Sequence, residues 1–183
     1  MKRISSRLFA AALVAGVAGS GAVAASASAT AATPSGGPIH IWATPSPKGA
    51  GGRILLTGAI ADHGTTQSVN AQGAPDPNGG FVKVTLSRGG FEVDKAALDR
   101  RLNALKPVID RATCSAWGTG TGEVTLQGGT GAYAGIRGTA RMTVTFAVIA
   151  PRYTSGRKQG QCNLNKTTAM FESSITGVGS VSF

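Results

Sequence analysis

The stretch Ile136–Ala150, IRGTARMTVTFAVIA, sets the reading of the whole chain. Met142, Val144, Phe146 and Val148 fall on one parity, while Arg137, Thr139, Arg141, Thr143 and Thr145 fall on the other. A period of two is the pattern of a strand with one buried and one solvated face, and a slip of a single residue would invert both faces. At about 3.3 Å per residue, a run of roughly 14 residues extends beyond about 45 Å, which suits the tilted strands of a closed barrel better than a small flat sheet. Pro151 ends it, since proline cannot donate to a strand ladder.

Working outward, the same alternation recurs. Val124 and Leu126 alternate with Glu123, Thr125 and Gln127, and Val82, Val84 and Leu86 alternate with Lys83, Thr85 and Ser87. Ile39 to Thr44 reads as a first strand, and Arg53 to Asp62 as a second in which Ile54, Leu56 and Ile60 share parity. Gly73 to Gly80, with Pro75, Asp76, Pro77 and Asn78, is a turn or loop. Gly89-Gly90 reads as a break after the Phe81–Ser87 strand, with Phe91 to Asp94 a short continuation. Asp94 then stands as the N-cap of one helix from Lys95 to about Lys106, stopped by Pro107, with Ala97, Leu98, Leu102 and Leu105 on its apolar face. Thr168 to Phe183 is a last β segment, relieved by Gly177 and Gly179 and placed to pair near the first. These elements predict an all-β fold, a closed antiparallel barrel of about eight strands with one short amphipathic helix.

The N-terminus carries Lys2, Arg3 and Arg7, an apolar run from Leu8 to Val23, and the overlapping small-residue sites Ala25-Ser26-Ala27 and Ala27-Ser28-Ala29. That order predicts a signal peptide over 1–29, cleaved on export, rather than a retained anchor, because the run is rich in Ala, Gly and Ser and no basic stop-transfer cluster follows. Residues 30–38 read as a flexible tail and 39–183 as one barrel domain, secreted and without a transmembrane segment after cleavage. An oxidising destination predicts that Cys114 and Cys162 form one bridge. His40 and His63 are not at ligand spacing, so no metal site is expected, and no cofactor either.

Loss of Lys2, Arg3 and Arg7 lowers the net charge of the 183-residue chain from +10 to +7. The only tight basic groups are Arg100-Arg101 and Arg157-Lys158. Charge dispersed in this way favours solubility and weak attraction to anionic envelope polymers, not specific recognition of nucleic acid.

Gly128 to Gly138, GGTGAYAGIRG, holds five glycines in eleven residues. A phosphate loop is excluded, because no lysine stands in the P-loop position and a strand rather than a helix follows. A tight strand-to-strand corner fits better, with glycine permitting positive φ and close backbone approach and Tyr133 packing the turn. This corner resembles that of the allene oxide cyclase and dirigent superfamily, and the likeness extends loosely to Gly58-Ala59-Ile60-Ala61-Asp62, the Phe81–Ser87 strand and the glycine-bearing C-terminal strand. The chain looks most like small secreted actinobacterial members of undefined role. The resemblance implies an eight-stranded barrel around an apolar cavity, which in plant relatives holds a reactive lipid or phenoxy-type intermediate. The acidic residues of plant dirigent proteins have no match here, and the helix is not part of the plant pattern.

Three functions follow as expectations. The first is non-catalytic binding of a small apolar ligand, with Tyr133, Arg137 and Arg141 as polar contacts near the mouth and Asp62, Glu123 and Glu172 as further candidates. The second is a dirigent- or cyclase-like isomerase acting by cavity shape, in which case an ionisable group with a displaced pKa should face the pocket. The third is a cationic protein held on the envelope or matrix, with Arg100, Arg101, Arg157 and Lys158 making the contact. No catalytic residue is assigned: no Gly-x-Ser-x-Gly elbow occurs, and neither histidine sits in a nucleophile context.

Overall fold

The computed structural model describes residues 35–45, 51–164, 166 and 170–183. The expected leader and most of the expected tail lie outside the described residues. Among the described residues, nine strands and one helix follow in the order β1 (Gly37–Thr44), β2 (Gly52–Gly58), β3 (Asp62–Val69), β4 (Phe81–Leu86), β5 (Gly89–Asp94), α1 (Ala96–Asn103), β6 (Val108–Asp110), β7 (Ser115–Gly131), β8 (Arg137–Ile149) and β9 (Met170–Ser182). Every pairing is antiparallel. The hydrogen-bonded neighbours run β5-β4-β3-β2-β1-β9-β8-β7, and a further β5–β7 pairing joins the two ends. The ring is therefore a closed barrel of eight strands lying entirely within Gly37–Ser182, with β6 as an extra strand on the free side of β7.

The alternation that predicted the strands also fills the barrel. Ala140 and Met142 of β8 are buried, and Arg137, Thr139 and Arg141 are exposed. Ile39 and Ile41, Ile54 and Leu56, Val84 and Leu86, and Val124 and Leu126 turn inward from four more strands and meet in one core. The outward side of β8 is polar, which is the reverse of the apolar belt a membrane-spanning barrel presents to lipid.

Along its edge away from β8, the 17-residue β7 serves two neighbours. Thr125 to Gly131 closes the ring against β5, and Ser115 to Trp117 pairs with β6. Between them the inward positions are Gly118, Gly120 and Gly122, and α1 packs there. A Cβ at Gly118 would lie 2.9 Å from a Leu105 methyl, one at Gly120 2.4 Å from a Leu102 methyl, and one at Gly122 2.8 Å from the Leu98 Cα. Three missing side chains thus let the helix lie close to the strand.

Several elements depart from the sequence pattern. Arg53 to Asp62 is not one strand but β2, a corner and the start of β3. Gly58 takes a φ of +90°, its missing Cβ makes room for the Pro38 carbonyl, and the Ala59 N–H donates to that carbonyl at 2.8 Å. Strand β3 reads Asp-His-Gly-Thr-Thr-Gln-Ser-Val and shows no apolar alternation. Gly89 and Gly90 belong to β5, and the turn falls at Ser87 and Arg88. Helix α1 is shorter than the pattern suggested, and Ala97 is exposed. Asp94 lies just ahead of the helix, where its carboxylate accepts the Ala96 N–H at 2.9 Å. Cys114 and Cys162 are bridged with their Cα atoms 5.3 Å apart, tying the start of β7 to the loop after β8.

Candidate functional site

The two ends of the barrel differ. At one end the β7–β8 corner brings Tyr133, fully buried, over the start of β3. The corner forms as its glycines require: Gly128, Gly131 and Gly135 all have positive φ, and a Cβ at Gly129 would collide with the Tyr133 carbonyl. The Tyr133 hydroxyl donates to the Asp62 carboxylate at 2.5 Å, and the Ser87 hydroxyl donates to the same group at 2.6 Å. Backbone N–H groups of His63, Ser87 and Arg88 complete the ring of donors at 2.7, 3.4 and 3.3 Å. The Arg88 Nε lies 3.7 Å from Asp62, and its guanidinium sits 5.7 Å from the Tyr133 ring centroid. Phe91 and Phe183 flank that ring with centroids at 6.3 and 6.4 Å.

Burial by itself opposes ionisation of Asp62. The hydrogen bonds from Ser87, Tyr133, His63 and Arg88 together outweigh it and hold the carboxyl well below the ordinary carboxylate range. Burial first, and then the bond to Asp62, push the Tyr133 phenol up to about 12, with Arg88 acting in the opposite sense. The result is a charged plug whose hydrogen bonds are made within the protein.

The other end opens on a cavity of about 220 Å3 inside the ring. Its deep walls are Ile41, Ile54, Leu56, Val84, Val124 and Met142, all buried. Toward the rim come Pro45, Val82, Val93, and the hydroxyl residues Thr66 and Ser68. Leu98 of α1 closes one side, and Lys95 beside it has its Nζ 2.5 Å from Asp99 Oδ2. Thr66 is held in place by the Gly52 N–H, which donates to its Oγ1 at 3.2 Å. Such a chamber can take an apolar body and offer one polar contact at its mouth.

The sequence candidates distribute as follows. Asp62 and Tyr133 meet, but at the closed end, and neither lines the cavity. Arg137, Arg141 and Glu123 are exposed on the outer face, where Glu123 and Arg141 are register partners on β7 and β8. Glu172 is exposed on β9 opposite Ala147, also away from the chamber. The polar residues that do line it, Thr66, Ser68 and Lys95, carried no signal in the sequence. The first two stand in a strand without alternation, and Lys95 read only as a helix start.

Among the described residues, no group of three or more His, Cys, Asp or Glu is placed to hold a metal ion, and no helix is long and apolar enough to cross a membrane. Comparison with protein-family models, with curated proteins and with solved structures finds no match for this chain.

Proposed function

We propose that the chain is an exported barrel protein that holds a small, largely apolar molecule without transforming it. The observation that carries this reading is the chamber of about 220 Å3, walled by aliphatic side chains and open at one end. An apolar cavity of about 150 Å3 accommodates benzene, and pockets for drug-sized ligands begin near about 300 Å3. The guest that fits is a single ring or a short branched chain, with one polar substituent directed at Thr66, Ser68 or Lys95.

Binding is favoured over catalysis by where the displaced groups sit. The carboxyl of Asp62 and the phenol of Tyr133 are both buried and both shifted, yet they belong to the closed end and do not line the chamber. Export is supported by the Cys114–Cys162 bridge, which persists in oxidising compartments, together with the leader pattern of the first 29 residues. Kinship with the allene oxide cyclase and dirigent barrels is part of the proposal, resting on the eight-stranded antiparallel ring and the Gly128–Gly138 corner. That kinship keeps a shape-driven cyclase as the second reading.

Native mass spectrometry of protein recovered from its own host is the direct test. The expected result is an adduct of low mass that leaves on mild activation, and a chain that never carries one removes the proposal. Val84→Phe, which fills the chamber from its wall, should abolish the adduct while the protein stays folded. An adduct that appears as two isomeric species interconverted by the protein would favour the cyclase.

A further inference from the structure

Strands β7, β8 and β9 run on past the ring, and at their far ends the alternation of polar and apolar faces stops. On the outward side Val108 pairs with Trp117, and Ile149 with Met170. On the inward side Ile109 pairs with Ala116, and Val148 with Phe171. Val108, Ile109, Trp117, Ile149, Met170 and Phe171 are each between 41% and 54% exposed. Elsewhere the outer rows of β7, β8 and β9 carry threonine, serine, arginine and glutamate with Val178 between them, and the exposed pair Trp42–Leu55 on β1 and β2 lies on the outer face alone, so the tip differs in being apolar on both faces. A sheet end apolar on both faces marks an interaction site rather than scattered exposure.

The charge around the tip says what covers it. The segments that build it, 105–117 and 147–172, contain Lys106, Arg111, Arg152, Arg157, Lys158 and Lys166 against Asp110 and Glu172 alone. Among the described residues no ion pair involves any of these cations. Asp110 is taken up by its own turn, accepting from the Ala112 N–H at 2.8 Å and the Thr113 hydroxyl at 2.8 Å. Arg152 donates to the Ala112 and Gly160 carbonyls, and the disulfide holds the cationic loop against the start of β7. Two such tips facing one another would set cation against cation, which argues against a second copy. An anionic polymer would meet the charges but has no use for exposed Trp117, Met170 and Phe171.

We infer that the tip docks on an anionic lipid bilayer, with the apolar side chains seated in the interface and the surrounding cations on the headgroups. Trp117 belongs at the interfacial level, where an indole has one wet and one apolar side. The contact is peripheral, and none of the six apolar tip residues lines the cavity.

Trp42→Phe leaves Trp117 as the sole tryptophan of the chain. That variant, beginning at Thr30 so that the ring and tip are intact, is mixed with vesicles of phosphatidylcholine alone and of phosphatidylcholine with an equal share of phosphatidylglycerol. The expected result is flotation with the anionic vesicles only, a blue shift of Trp117, and quenching by lipid brominated just below the headgroup. The pair Met170→Ser and Phe171→Ser should weaken partition by about tenfold. Arg157→Gln with Lys158→Gln should weaken it by roughly thirtyfold at low salt. Flotation without a Trp117 shift or quenching, abolished by salt and indifferent to the serine pair, means attraction to polyanions alone and overturns the inference. So does a concentration-dependent dimer that ignores vesicles. The quenching measurement needs no change at the tip, so it decides the matter even if the serine pair fails to fold.

Discussion

Asp62 ties three remote parts of the chain together through one carboxylate, and its ionisation should be visible in stability. Its folded carboxyl titrates below the unfolded value of about 3.9, so the unfolded state binds more protons between the two. The contribution of Asp62 is therefore fully present above about pH 4 and is lost as the pH falls through the folded value. Asp62→Asn should cost about 3 kcal/mol at neutral pH and flatten the acid limb of a urea-denaturation series. Tyr133 acts in the opposite direction. With its folded phenol raised to about 12, its contribution is present below the unfolded value of about 10 and declines as the pH rises toward 12. Tyr133→Phe should lose about 2 kcal/mol and remove that alkaline decline, which thermal melts between those pH values would record. Neither role could be read from the chain beforehand: an aspartate opening a polar segment has no sequence mark of burial, and apart from the adjacent His63 N–H the donors that surround it come from positions 25 to 71 residues away.

The seat of α1 on β7 is a contact between two elements that each look ordinary alone. Gly118, Gly120 and Gly122 stand at every second position, and Leu98, Leu102 and Leu105 stand at helical spacing. Only their juxtaposition explains both. Gly122→Ala places a methyl 2.8 Å from the Leu98 backbone and should cost about 1–3 kcal/mol while lifting Leu98 from the chamber wall. Gly80→Ala, at a position with open space around the added carbon, should stay within about 0.5 kcal/mol. Chemical denaturation of the two variants compares them directly, and equal effects would refute the seat. Strands with strong alternation, β8 and β4 above all, were legible within a residue or two. Strand β3 was not, because its inward residues include Thr66 and Ser68, which border an unfilled chamber rather than the packed core. The split between β2 and β3 was also hidden, since it depends on the Pro38 carbonyl approaching Gly58 from a different strand.

For the molecule as a whole, the bridge and the plug stabilise different ends. Cys114 and Cys162 are separated by 48 residues, and Asp62 lies at the opposite end of the ring. In the chain-entropy account, closing a loop of that length contributes about 4 kcal/mol, so Cys114→Ser with Cys162→Ser should lose most of that. The acid limb set by Asp62 should survive the change, and a pH series on the bridge-free variant would show whether the two ends act independently. By itself the sequence determined the class of fold, the long strands β8 and β9, the amphipathic helix and the Cys114–Cys162 partnership, because period, breakers and cysteine count are local or arithmetic properties of the chain. Which side chains face the chamber, that Asp62 and Tyr133 meet away from it, and that an apolar tip projects past the ring were decided only in three dimensions. Closing a sheet on itself brings together residues from strands far apart in sequence, and no periodicity along one strand specifies what stands opposite it.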